Sequence, residues 1–131
     1  MRLDLIAEYL EGEGVGTRGR DLFINFIPQD ASGILLRDNF GGTRYDHELP
    51  GYMRGDFMLI TRAPDYETAK NLIDLARQTL RRLPGLAQDT VSWKRVLPVR
   101  TPFPYQPSPG GNIEFAQNID CVYVDTAELA G

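Results

Sequence analysis

Cysteine, histidine and tryptophan each occur once in the 131 residues, and each scarcity closes off a class of function. With Cys121 alone, no disulfide can form within the chain. With His47 alone, the paired-histidine spacings of zinc sites cannot be assembled. No serine sits in a nucleophile elbow, and Cys121 has no evident catalytic partner. No apolar run approaches the ~20 residues needed to cross a bilayer. Residues 1–14, MRLDLIAEYLEGEG, carry acidic side chains inside the apolar pattern and lack a signal-peptide core. A soluble chain made in the cytoplasm is the expectation. Cationic charge is short too: 14 Lys and Arg against 18 Asp and Glu leave a net charge of −4. That balance argues against a protein that grips nucleic acid over its whole surface. It suits one past which DNA slides, because like charge discourages sticking.

What is present is ordinary for a globular protein: 42% hydrophobic and 24% charged residues. The length suits one domain, 1–131, burying roughly two thirds of its unfolded surface. The strongest pattern is Gly55 to Leu83, GDFMLITRAPDYETAKNLIDLARQTLRRL. Asp56–Thr61 is apolar and partly β-branched, a strand bounded by Gly55 and ended by Pro64. Asp65 is placed to cap a helix, with Glu67 in its first turn. Tyr66, Ala69, Leu72, Ile73, Ala76, Leu80 and Leu83 then recur at helical spacing, and Arg81, Arg82 and Pro84-Gly85 close the helix.

The flanking segments supply a sheet for that helix. Arg2–Glu11 reads as a short amphipathic helix with Leu3, Ile6, Ala7 and Leu10 on one face. The following glycines, in EGEGVGTRGR, read as a connector; the segment lacks the Lys-Ser/Thr of a phosphate loop and lies between a helix and a strand in the wrong order. Asp21–Ile27, apolar almost throughout, reads as a central strand, covered on both faces or by a neighbouring subunit. Pro28–Gly33 reads as a turn, and Ile34–Arg37 as a second strand. The stretch 38–54, DNFGGTRYDHELPGYMR, has no period; a loop of that length is functional or mobile, and an extended hairpin reaching away from the body is one fold open to it. Its Asp46, His47 and Glu48 invite an acid–base or metal reading, yet adjacent loop residues rarely converge on one ion. Solvated charge offered to a partner protein is the reading taken.

Thr90–Leu97 alternates, with Val91, Trp93, Arg95 and Leu97 on one side. Trp93 beside Lys94 and Arg95 could stack on a base, but two cations are not a patch, and a core or interface role is preferred. The stretch 98–112 holds five prolines and two glycines and reads as an extended crossover or docking loop. Ile113–Val124 forms the last strand, with Phe115, Ile119, Cys121 and Tyr123 on its more apolar side and Cys121 as a core residue. The tail from Asp125 is expected to fray. The result is an α+β fold in the order α-β-β-β-α-β-β: a mostly antiparallel β-sheet with the N-terminal helix and one long amphipathic helix packed on one face. The second face is left bare although Phe23, Ile27, Val96 and Val122 suggest apolar groups on both, and burial by another copy would resolve that conflict.

The segment PGYMRGDFMLITRAPDYETAKNLIDLARQTLRRL, together with the late FPYQPSPGGNIEFAQNIDCVYVD, resembles the bacteriophage minor capsid and tail-completion (tail terminator) family over residues 20–125. The resemblance implies a tail-terminator-like domain with long loops 38–54 and 98–112, and a structural virion protein, not an enzyme. It implies a homo-oligomer, a hexameric ring, capping the head-proximal end of the tail tube. Such a ring stops tube polymerisation and docks neck or connector proteins, while DNA passes through without specific binding. The family offers no catalytic, cofactor or metal residue to carry over, and membranes play no part. The location implied is the virion tail or neck, after assembly in the host cytoplasm. Interface contacts are expected from Arg44, Tyr45, Asp46, His47, Glu48, Tyr52, Arg54, Trp93, Arg100, Phe103 and Tyr105. The alternatives are a head-side neck protein (stopper or adaptor) and a small nucleic-acid-binding or metal-dependent protein.

Overall fold

The computed structural model describes residues 1–39, 41–104 and 111–129. Two helices, α1 (Leu3–Gly12) and α2 (Tyr66–Leu80), lie on one side of an eight-stranded sheet. Its strands are β1 (Leu22–Ile24), β2 (Gly33–Asp38), β3 (Arg44–Tyr45), β4 (Tyr52–Ala63), β5 (Ala87–Gln88), β6 (Val91–Pro98), β7 (Phe103–Pro104) and β8 (Ile113–Asp125). The main path runs β1-β2-β4-β8-β6-β5; β3 pairs with β4, and β7 with β8. All pairings are antiparallel except β1 with β2. The expected α+β class with a mostly antiparallel sheet holds. The element count does not, because β3, β5 and β7 are two-residue strands that carry no periodic signal.

The long helix forms where its cap and spacing place it. Asp65 is extended, and its carboxylate accepts from the Thr68 amide and hydroxyl, each at 2.8 Å. Those bonds satisfy a helix-end donor and favour the ionised acid, which pulls Asp65 below the usual carboxylate range. Ala69, Ile73, Ala76, Thr79 and Leu80 turn inward; Tyr66 stays half exposed and meets Phe115 edge-on at 5.1 Å. The Thr61 hydroxyl of β4 donates to the Ala69 carbonyl at 2.8 Å, and the Tyr9 hydroxyl of α1 donates to the Thr79 carbonyl at 3.2 Å. The main core lies between helices and sheet, joining Leu3, Ile6 and Leu10 to Leu36, Phe57, Leu59, Trp93, Ile119 and Tyr123.

Four local expectations are corrected. The segment 21–27 is not a central strand: β1 is three residues long and sits at the sheet edge. Asn25 ends it with a left-handed backbone (φ 62°), a conformation asparagine tolerates, held by two hydrogen bonds between its amide and Asp38. The strand after Gly51 begins at Tyr52 and runs unbroken through Gly55 to Ala63, so the loop 38–54 is in part a β3–β4 hairpin. Strand β6 carries a bulge between Trp93 and Arg95, which inverts the later alternation: Val96 points inward and Arg95 and Leu97 outward. Residues 126–129 form a 3₁₀ turn where fraying was expected.

The second face of the sheet, the outer face, is not left wholly to a partner. Leu35, Ile60 and Ala116 form a small buried cluster there, packed by Phe23, Ile27, Met58 and Phe103 of the same chain. The connection between the parallel strands β1 and β2 is fastened to this face by Arg62. Its guanidinium donates to the Pro28 carbonyl at 3.0 Å and pairs with Glu114 at 2.8 Å. Among the described residues, the far end of the face has no such cover.

Candidate interaction surface

The chemistry-bearing residues of 38–54 sit on the β3–β4 hairpin. Its turn is built by Asp46, whose carboxylate accepts from the Glu48 and Leu49 amides at 2.9 and 3.0 Å and from the Arg54 guanidinium at 3.1 Å. The backbone closes alongside, Asp46 N–H to the Tyr52 carbonyl at 3.0 Å, and Gly51 supplies the left-handed turn residue (φ 82°). The two amide bonds, more than the arginine, hold the Asp46 carboxyl below the usual range. Asp46 is therefore committed to the turn itself. His47 and Glu48 project into solvent, as do Arg44 and Tyr45. Among the described residues, no three His, Cys, Asp or Glu side chains group closely enough to hold a metal ion.

Beside the hairpin, the uncovered end of the outer face forms a cleft of about 560 Å³ lined by Arg44, Arg54, Asp56, Arg95, Asp120 and Val122, with Gly41 and Gly42 at its rim. The register explains the set. Arg44 lies opposite Arg54, Arg54 opposite Val122, and Val122 opposite Arg95. One row on, Asp56 faces Asp120, which faces Leu97. Residues two apart share a face, so three arginines and two aspartates emerge together. Two carboxylates directly opposite on neighbouring strands are unfavourable in isolation. Arg54 reaches Asp46, but among the described residues Arg44, Arg95, Asp56 and Asp120 form no ion pair. A second hollow, about 540 Å³, lies under the hairpin between Thr43–Glu48 and Arg54.

The other expected contact residues scatter. Tyr52 is half-buried at the start of β4. Trp93 is enclosed in its own chain at 0% exposure, its ring 5.1 Å from that of Tyr123 and its Nε1–H donating to Gln88 Oε1 at 2.8 Å. It has no surface to offer a neighbour or a base. Arg100 is exposed beyond β6, and its carbonyl accepts from Gln117 Nε2 at 2.7 Å. Phe103 packs on the outer-face cluster, and Tyr105 lies outside the described residues. Cys121 is buried, and that burial pushes its thiol well above the ordinary range, away from reactive thiolate. Asp56 and Arg95 went unread as surface residues, whereas the alternation of the last strand already set Asp120 opposite its apolar side. The alternation Arg54, Asp56, Met58 would have placed the first of them; the bulge hid Arg95.

Both lateral edges of the sheet are blunted. On one side β1 is short and followed by the left-handed Asn25 and by Pro28. On the other, β5 covers only Val91 and Ser92, and the exposed remainder of β6 carries the bulge, Lys94 and Pro98. Such features discourage strand-to-strand addition. No helix among the described residues is long and apolar enough to cross a membrane.

No curated protein matches the chain significantly. A family model described as bacteriophage tail terminator protein matches residues 9–125. That range contains α2, every strand of the sheet, the hairpin and the cleft, and takes in only the end of α1. The chain belongs to the bacteriophage tail terminator family, and is thereby a structural component of the phage tail that meets tail and head–neck proteins.

Proposed function

We propose that this chain acts as one domain that assembles into a ring, hexameric by expectation, at the head-proximal end of the tail tube. The ring stops tube polymerisation and presents the docking surface for neck or connector proteins, and DNA passes through it without specific binding. The protein works by contact, without a catalytic step, and takes its place in the virion after assembly in the host cytoplasm. The observation that carries this reading is the family match across residues 9–125. The surface supports it: the outer-face cleft gathers Arg44, Arg95, Asp56 and Asp120, which form no ion pair among the described residues, and the exposed hairpin beside it is braced from within by Asp46. Arg44, Tyr45, His47, Glu48, Tyr52, Arg54, Arg100, Phe103 and Tyr105 remain the proposed contact residues.

The test is electron microscopy of particles from a phage with this gene disrupted. Detached tails of abnormal length beside filled heads are the expected result. Finished tails of normal length, with heads that leak DNA or fail to join, would move the protein to the head side of the neck. Intact infectious particles would refute both positions.

A further inference from the structure

The cleft and hairpin lie among a wider asymmetry of the surface. From Thr90 to Ile113 the chain contains no Asp or Glu. Within that stretch Lys94, Arg95 and Arg100 are all exposed, and among the described residues none has an ion pair. Beside them Leu97 and Val99 are 47% and 51% exposed. Arg95, Leu97 and Val99 follow the bulge at two-residue steps and so share the outer face. The Val99 amide still donates to the Asn118 carbonyl at 3.0 Å, which keeps this strip fixed along β8. The hairpin tip, beyond Arg44, offers one exposed acid flanked by apolar side chains. Tyr45 and Leu49 are 61% and 46% exposed, and Glu48 and His47 stand between them. Its turn is rigid, held by the Asp46 bonds, and its only acid not used inside the turn is Glu48.

These two patches are distinct surfaces on either side of the outer-face cleft. Strand β3 joins β4 on the β2 side, whereas β6 is reached only across β8. One copy therefore cannot use both on itself as a single contact, yet each copy offers both. A contact that joins the first patch of one copy to the second patch of the next is head-to-tail, the kind that closes into a ring when the rotation per copy allows. We propose that the hairpin tip of one copy docks on the Arg95–Leu97–Val99 strip of a second copy. Glu48 meets Arg95, and Tyr45 and Leu49 cover Leu97 and Val99. The contact is made by side chains, because the bulge, Lys94 and Pro98 deny the β6 edge to an added strand. This inference rests on the ring reading and gives that ring its repeating joint.

The test uses the full-length chain and charge reversal, with mass measured by sedimentation velocity across protein and salt concentrations. Arg95→Glu and Glu48→Arg change exposed side chains that form no ion pair among the described residues, and circular dichroism verifies that each variant is folded. Each alone is expected to weaken self-association by roughly tenfold or more at low salt, since like charges are brought together. Raising the salt is expected to weaken the wild type. The double variant, and an equal mixture of the two single variants, are expected to regain association, because both restore opposite charges at every joint. Wild-type rings indifferent to either reversal would overturn the pairing and leave the ring standing. So would single variants that weaken association without rescue by the double variant or the mixture. A wild type that stays monomeric throughout refutes the ring, and the joint with it.

Discussion

Replacing Arg62 by alanine tests how the outer face keeps its own cover. The Arg62 and Glu114 side chains are 11% and 9% exposed and meet at 2.8 Å, so the pair is nearly dry. The same guanidinium donates to the Pro28 carbonyl at 3.0 Å and lies 3.5 Å from that of Ala31. Removing it strands the Glu114 carboxylate in a buried position and frees the 25–32 connection at one stroke. Breaking such a pair from one side costs about 3–5 kcal/mol, a large part of the ~5–15 kcal/mol that holds a domain of this kind together. Urea unfolding followed by Trp93 fluorescence measures the global loss, and limited proteolysis within 25–32 measures the local one. Arg62→Met combined with Glu114→Leu removes both charges, and is expected to recover most of the global loss. The connection, without its donor, is expected to remain open to protease. A cost below about 1 kcal/mol for Arg62→Ala would refute the reasoning, since the penalty for leaving a buried charge without its partner would then be missing. A double variant as unstable as the single one would refute it too.

Three further outcomes are expected. Trp93→Phe leaves Gln88 Oε1 without its donor and thins the ring contact with Tyr123; a loss of about 1–3 kcal/mol in urea unfolding is expected. Asp65 is held below its ordinary pKa of 3.8 by bonds to its ionised form, so it contributes stability above that value which is lost as pH falls through and below it. Asp65→Asn keeps a good cap without the titration, so thermal melts should match the wild type near neutrality and fall less steeply between pH 4 and pH 2, about the window a depressed carboxylate spans. Gly33 has φ +136°, and a Cβ there would drive into the Asp21 carbonyl that accepts the Ile34 amide, so Gly33→Ala is expected to fold poorly or not at all, judged by circular dichroism.

How much of this was legible in the sequence depended on whether a feature was local. Pro64, Asp65 and the spacing from Ala69 to Leu80 specify α2 within a single turn-by-turn pattern, and the structure follows them. The inward side of β8, Phe115, Ile119, Cys121 and Tyr123, was readable for the same reason. Features set by partners distant in the chain were not. Gly55 looked like a boundary; it is the point where Thr43 crosses β4 so closely that a Cβ would lie 2.9 Å from its hydroxyl. Asn25 looked like one more strand residue, but its clamp is made by Asp38, thirteen positions on. The bulge in β6 has no mark in composition, and it decides which of Arg95 and Val96 meets the core. The cleft followed from that register and so stayed hidden, whereas the hairpin was legible as a fold open to the 38–54 stretch, without its strand bounds.

The blunted sheet edges have a consequence for assembly. A β-rich protein with an open, flat border would nucleate fibres as its concentration climbed inside an infected cell. This one gives up that route on both sides: at β1 through brevity and a left-handed asparagine, and at β6 through a bulge, a lysine and a proline. What remains for the proposed contact between copies is charge and a few exposed side chains, whose strength ionic conditions can set. Copies meeting in the proposed ring would then join through side chains and not through a continued sheet.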